Sequence, residues 1–181
     1  MALRKPLFSV DDLAHTPDDG KRYEIMDGEL IVSPAPTFEH QSVVTRFAVY
    51  LLRAEDEDYG RAVVAPVDVI FGRYRTAQPD LLFIRRERLS IIVRGKVRGV
   101  PDLVVEVLSP GTRRADLGWK MTLYAREGVP YYWVADPVAR TVQPYRLGEE
   151  GYVAEPPLSG GDILACPLFP GITVEVARLF P

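Results

Sequence analysis

No stretch limits the fold of this chain as tightly as residues 100–110, VPDLVVEVLSP. An aliphatic, β-branched run bounded by Pro101 and Pro110 has the pattern of a buried strand, yet it carries two acids, Asp102 and Glu106. Side chains alternate across a strand, so Asp102, Val104, Glu106 and Leu108 share one face, and Leu103, Val105 and Val107 the other. Four residues of strand span roughly 13 Å at about 3.3 Å per residue, too far for the two carboxylates to hold one ion. A partner for either acid must therefore come from a neighbouring strand, about 4.8 Å away.

QPDLLFI, residues 78–84, supplies such a partner in Asp80, at the start of its strand. An ionised carboxylate in an apolar layer costs several kcal/mol, and two side by side repel unless a cation lies between them. A divalent ion resolves both problems. Mg²⁺ (or Mn²⁺) suits the site, because Mg²⁺ takes hard oxygen ligands, keeps several waters and is commonly held by one or two carboxylates. Asp102 directly follows Pro101 and reads as a strand-end acid that caps a helix or pairs with an arginine. Glu106, flanked by two valines and by Val-Leu, has less claim to that role.

The rest of the chain supplies layers around these strands. Ser9 to Asp12 predicts a short capped helix stopped by Pro17, and RYEIMDGELIVS predicts a hairpin turning at Asp27-Gly28. Thr37 caps a helix with Val44, Phe47, Ala48 and Leu51 on its apolar stripe. RAVVAPVDVIF adds β structure. RRADLGWKMTLYAREG predicts a second helix with Leu117, Met121 and Tyr124 on one side and Gly128 as its stop, and a further hairpin turns at Asp136-Pro137. The tail from Gly148 offers short strands and reads as an edge decoration. The expected architecture is α/β (α+β): a mixed central sheet flanked by helices, with extra β-hairpins at both ends. Residues 1–181 are expected to form a single domain, with the hairpin at 21–33, a core at about 37–136 and a β extension at about 137–181.

Composition narrows the class. A chain that is 47% hydrophobic and 26% charged belongs with ordinary globular proteins. No window approaches the roughly 18 apolar residues of a membrane-spanning helix. The start, MALRKPLFSVDDLA, turns acidic before any secretory apolar run, so a cytoplasmic location is expected. Cys166 is alone, which excludes an internal disulfide and a zinc cluster. The net charge of −3 hides a basic segment, RRERLSIIVRGKVR, in which Arg85, Arg86, Arg88, Arg94, Lys96 and Arg98 face only Glu87. It reads as a solvated loop or as a phosphate-binding surface. Only Lys5, Lys21, Lys96 and Lys120 are lysines, arginine supplying the remaining positive charge, so a lysine at a useful position is a functional candidate.

A proline-aspartate opening one strand, an acid within the next and a nearby lysine resemble the PD-(D/E)xK superfamily with its restriction endonuclease-like fold. More closely, YEIMDGELIVSPAP, FEHQ, APVDVIF, QPDLLFI, PGITVEVARLF and the run from Pro101 to Pro137 resemble a large bacterial family of restriction-endonuclease-like proteins, long known only as a domain of unknown function. The likeness covers nearly the whole chain. It implies that Pro79-Asp80 is the PD and Glu106 the acid of (D/E)xK, while Leu108 stands where the lysine is expected. The closer family places the basic group on the following helix, where Lys120 matches. The alternative for Lys120 is a surface i,i+4 pair with Asp116, worth about 0.2 to 0.5 kcal/mol.

By the same resemblance an acid of the first core helix joins the site, and Glu39 is its candidate. His40 falls on the apolar stripe of that helix, as a satisfied buried histidine or an acid-base group. Gln78 is a candidate to orient a ligand water, and Asp68 is a lesser metal ligand. Arg113 and Arg114 could reach phosphate or simply face water. The implied activity is metal-dependent hydrolysis of phosphodiester bonds in nucleic acid, DNA in the first instance, with Arg85, Arg86, Arg94, Lys96 and Arg98 gripping the backbone. The rival is an inactive binding or structural module that keeps the fold. Folds of this type often act as homodimers, and Tyr131, Tyr132, Trp133 and the LFP tail are either interface or core.

Overall fold

Alternating side chains on either side of Asp27-Gly28 fold as β1 (Arg22–Met26) and β2 (Glu29–Ser33), paired antiparallel. The computed structural model describes residues 7–181; the first six residues of the expected domain, Lys5 among them, lie outside that range. Instead of a capped helix, the segment at Ser9 makes one 3₁₀ turn, Asp12–His15, and the Ser9 amide and hydroxyl both donate to Asp12 Oδ2. Helix α1 (Phe38–Asp56) begins where expected, with Thr37 Oγ1 accepting from the His40 amide at 3.3 Å. Val44, Phe47 and Leu51 lie on its buried side, with His40 one turn before them.

The β-rich middle divides between two mixed sheets. RAVVAPVDVIF is not one strand: it breaks at a cis Ala65–Pro66 bond into β3 (Gly60–Val64) and β4 (Val69–Gly72), which join different sheets. Next come β5 (Arg75–Ala77), β6 (Leu81–Arg85), β7 (Ile92–Val93), β8 (Lys96–Arg98) and β9 (Leu103–Val107). A kinked helical segment follows, built from α2 (Arg113–Ala115), a kink over Asp116–Lys120 where Gly118 leaves helical dihedrals, and α3 (Met121–Glu127). The helix stops at Gly128, which has φ +89°. Strands β10 (Tyr131–Asp136) and β11 (Thr141–Gly148) form the expected hairpin, and β12 (Gly151–Ala154) and β13 (Leu158–Ser159) extend it. A separate pair, β14 (Ile163–Ala165) and β15 (Thr173–Glu175), completes the tail.

The larger sheet runs β12-β11-β10-β9-β6-β3, with β9 and β10 parallel and the other neighbours antiparallel. The smaller runs β2-β1-β5-β4-β8-β7. On one face of the larger sheet, Leu103, Val105, Val107, Trp133 and Ala135 pack with α1. On the other, Val104, Leu108, Tyr132 and Val134 pack with Leu123 and Tyr124 of α3 and Val69 and Ala77 of the smaller sheet. Fully burying one aliphatic side chain contributes roughly 1.5–3 kcal/mol, so two such layers can bear the cost of a few buried charges.

Two expectations are corrected. The tail is more than an edge: Leu164, Cys166, Phe169, Val176, Leu179 and Phe180 enter the core beside α1. Trp133 and the Leu-Phe of the tail are buried in that core and Tyr132 in the core on the other face, so of the two readings given for them they take the core one. Leu117 is exposed, because the helix changes path at Gly118 and Leu117 leaves the stripe that Tyr124 keeps.

Candidate active site

Antiparallel pairing of β6 with β9 sets Leu81 opposite Val105, which brings Asp80 beside Glu106. The Asp80 amide donates toward Glu106 Oε2 at 3.4 Å, and the Val107 amide donates to Asp80 Oδ2 at 2.8 Å. Both carboxylates are buried. Asp102 lies apart from them. It accepts from the Arg85 amide and Nε and from Arg88 Nη1, as a strand-end acid paired with arginines.

Around Asp80 and Glu106 other elements converge. From the kinked helix, Lys120 is buried, with Nζ 3.1 Å from Glu106 Oε1 and 3.3 Å from Asp116 Oδ1. The expected alternative, a surface Asp116–Lys120 pair, is thereby corrected: the pair exists, but inside the protein. Tyr124 donates its hydroxyl to Glu106 Oε1 at 2.7 Å. From β1 come Glu24, with Oε1 3.5 Å from Lys120 Nζ, and Arg22, whose Nη1 donates to Asp80 Oδ1 at 2.6 Å. From α1, His40 Nε2 is 2.9 Å from Asp80 Oδ2.

The charges in this cluster do not balance. Four carboxylates, Glu24, Asp80, Glu106 and Asp116, meet two permanent cations, Arg22 and Lys120. The surplus shows in the acidities. Burial, reinforced by Asp116, Asp80 and Glu24, pushes Glu106 well above the usual carboxylate range despite Lys120. Burial also raises Asp116, with Lys120 opposing. Asp80 goes the other way: burial opposes its charge, but the His40 hydrogen bond and the Arg22 charge outweigh burial and hold it well below that range. Lys120 stays protonated, because Glu106, Glu24 and Asp116 outweigh the burial that would strip its charge.

A divalent cation fits this chemistry. Its charge would offset the surplus of carboxylates over cations, and Glu24 Oε2 and both Asp116 oxygens have no hydrogen-bond partner among the described residues. No three of the described His, Cys, Asp and Glu side chains form a ready-made ligand shell. Asp80 and Glu106, adjacent across β6 and β9, are the pair of carboxylates that could hold such an ion, since Mg²⁺ is commonly held by one or two carboxylates.

Other sequence candidates lie elsewhere. Glu39 is exposed in the first turn of α1, and its neighbour His40 faces the cluster instead. Gln78 braces two acids, its amide donating to Glu24 Oε1 and its Nε2 to Asp68 Oδ1, each at 2.8 Å. Asp68 pairs with Lys96 at 2.6 Å, away from Asp80 and Glu106. Arg85 is tied to Asp102 and Glu87, Arg86 to Asp58, and Arg113 to Asp136. Arg94, Arg98 and Arg114 are exposed and form no ion pair among the described residues; Arg94 tops the β7–β8 turn with φ +51°. Two surface clefts, of about 670 Å³ beside residues 26–30 and about 320 Å³ beside α1, contain none of the cluster.

Glu24, Arg22, Asp116 and Tyr124 are site residues that the sequence alone does not single out. The available signal is Glu24: a buried acid alternating with Tyr23 and Ile25 in a strand, the same anomaly that marks Glu106.

The fold has a solved counterpart. A crystal structure described as "a putative nuclease belonging to DUF820", from Anabaena variabilis ATCC 29413, matches with a TM-score of 0.79 over 96% of this chain and 97% of that one. At 19% identity the likeness shows a shared fold. Among curated proteins nothing matches. The family model Uma2, described as "Putative restriction endonuclease", matches residues 10–177. With its model spanning all but the ends of the sequence, the chain belongs to the Uma2 restriction endonuclease-like family.

Proposed function

We propose that this protein is a divalent-metal-dependent endonuclease that hydrolyses phosphodiester bonds of DNA, with Asp80, Glu106 and Lys120 as its catalytic residues. The observation that carries this reading is a buried cluster in which four carboxylates, Asp80 and Glu106 adjacent across two strands among them, meet two permanent cations, Arg22 and Lys120. Structural ion pairs are normally balanced, and an unbalanced buried carboxylate costs several kcal/mol. Family membership agrees with the reaction class.

Asp80 and Glu106 would hold Mg²⁺ or Mn²⁺. When bound, such an ion supplies Lewis acidity to a phosphate oxygen and lowers the pKa of an attacking water. The chain's own groups do the rest. Tyr124 and Lys120 both engage Glu106 Oε1, which fixes the carboxylate and leaves Oε2 with only the long Asp80 amide contact. The Val107 amide and His40 orient Asp80. Lys120, held against Glu106 Oε1, would offset negative charge developing on the phosphorane or orient the attacking water. Arg94, Arg98 and Arg114 are the cations available for sequence-independent contact with the backbone.

The test is cleavage of plasmid and single-stranded DNA with Mg²⁺ or Mn²⁺. Asp80→Ala, Glu106→Ala and Lys120→Ala should each lose about 10²–10³-fold in rate, the scale of one preorganised electrostatic group. Equal cutting by wild type and all three variants would remove the proposal. A second reading, a binding module without turnover, is favoured by the closure of the cluster by Arg22 and His40. Failure of the folded protein to bind divalent metal at millimolar concentration would select it.

A further inference from the structure

Arg22 sits in the wrong place for a residue that merely braces the fold. Its guanidinium lies on Asp80 Oδ1, at 2.6 Å, on a carboxylate assigned above to the metal. Its side chain is 13% exposed, against 4% for His40, 2% for Asp80 and Lys120, and none for Glu24 and Glu106. Of these side chains it is the one most open to solvent. Only Nη1 of its donors makes a hydrogen bond among the described residues. The remaining N–H groups of a fork that matches phosphate geometry are unengaged by protein. Its backbone is anchored independently, in register with Ser33 within the β1–β2 hairpin, so the side chain can swing without breaking that pairing.

We propose that Arg22 is a built-in placeholder cation: it neutralises Asp80 until a divalent ion takes that carboxylate, and its released guanidinium then binds the phosphate being cut. The inference rests on the proposed metal-dependent nuclease and adds a positioning and substrate-binding residue to it. Two cations cannot both be fully stabilised by one carboxylate, so the ion and Arg22 compete for Asp80. An incoming phosphate offers the displaced guanidinium a bidentate anion in exchange. Metal and nucleic acid would therefore bind with positive coupling that passes through Arg22.

The experiment compares wild type with Arg22→Gln and Arg22→Lys, each checked for native circular dichroism. Mn²⁺ affinity is measured by electron paramagnetic resonance, and affinity for a duplex oligonucleotide is measured with and without Ca²⁺. Removing the competing charge should tighten Mn²⁺ binding by Arg22→Gln about tenfold, the scale of one partly screened charge pair. Arg22→Lys should stay near wild type. With Ca²⁺ present, Arg22→Gln should bind the duplex about tenfold more weakly than wild type. Without Ca²⁺ the two should bind alike. Mn²⁺ affinity that is unchanged or weaker in Arg22→Gln overturns the placeholder role while leaving the nuclease reading in place. Failure of every protein to bind Mn²⁺ overturns both. Should Arg22→Gln not fold, wild type alone decides. Its Arg22 Nη1 protons, bonded to Asp80 Oδ1, should be slowed in exchange without metal and lose that protection on adding Mg²⁺, and a signal indifferent to Mg²⁺ overturns the proposal.

Discussion

Glu24, Asp80, Glu106 and Asp116 crowd around Lys120 and Arg22, and the four acids do not contribute alike. Asp80 is the stabilised one, held by Arg22, His40 and the Val107 amide. Removing its charge strands a buried guanidinium, so Asp80→Asn should lose about 3–5 kcal/mol in urea unfolding. Glu106 carries the strain of the surplus. Glu106→Gln keeps acceptors for Tyr124 and Lys120 while lowering the repulsion, so it should leave stability unchanged or raise it by up to about 2 kcal/mol. Parallel losses in the two variants would refute this division. Cys166 gives a separate prediction with a definite sign. Burial pushes its thiol up to about 12, so above the unfolded value, about 8.5, the unfolded chain loses a proton that the native chain keeps. Stability therefore falls as pH rises from about 8.5 toward 12. Melting temperature should drop more steeply across that window in wild type than in Cys166→Ala, and the native thiol should resist a disulfide reagent that labels the urea-unfolded chain.

At the scale of elements, the large sheet is legible in the sequence and the strand that closes the site is not. Alternation alone puts Glu106 opposite the Leu103, Val105 and Val107 face, and strand spacing alone excludes Asp102 as its companion. Both readings hold in the pairing of β9 with β6. Lys120 lies on the expected helix, buried beyond a kink at Gly118 while Leu117 before it faces outward, which a uniform helical period cannot foresee. Glu24 and Arg22 are hidden because RYEIM reads as one strand of an ordinary hairpin. That its Arg22 and Glu24 face the larger sheet is decided by packing between sheets, information absent from local period. Gly128 is the helix stop that the sequence predicts, and its φ of +89° shows why. With nothing within 4 Å of an added Cβ, Gly128→Ala meets only the left-handed backbone, and should cost about 1–2 kcal/mol in thermal unfolding while leaving metal affinity unaltered.

For the whole molecule, the two sheets meet along the face that carries the acids, so the site is a product of tertiary assembly. We propose that residues 7–181 form one unit, since the tail supplies Phe169, Val176 and Leu179 to the same core as α1. None of the described helices is long and apolar enough to cross a membrane. The basic segment between β6 and β9 is half legible. Its charges are real, but Arg85, Arg88 and Lys96 are spent on Asp102 and Asp68, and a sequence cannot show which arginines are already paired. By the function proposed above, the buried Asp80 and Glu106 carboxylates hold a metal ion. Anomalous scattering from crystals grown with Mn²⁺ tests it most directly. One strong peak is expected between the Asp80 and Glu106 carboxylates with Lys120 Nζ beside it, and a protein that is folded, saturated with Mn²⁺ and devoid of a peak there would contradict the claim.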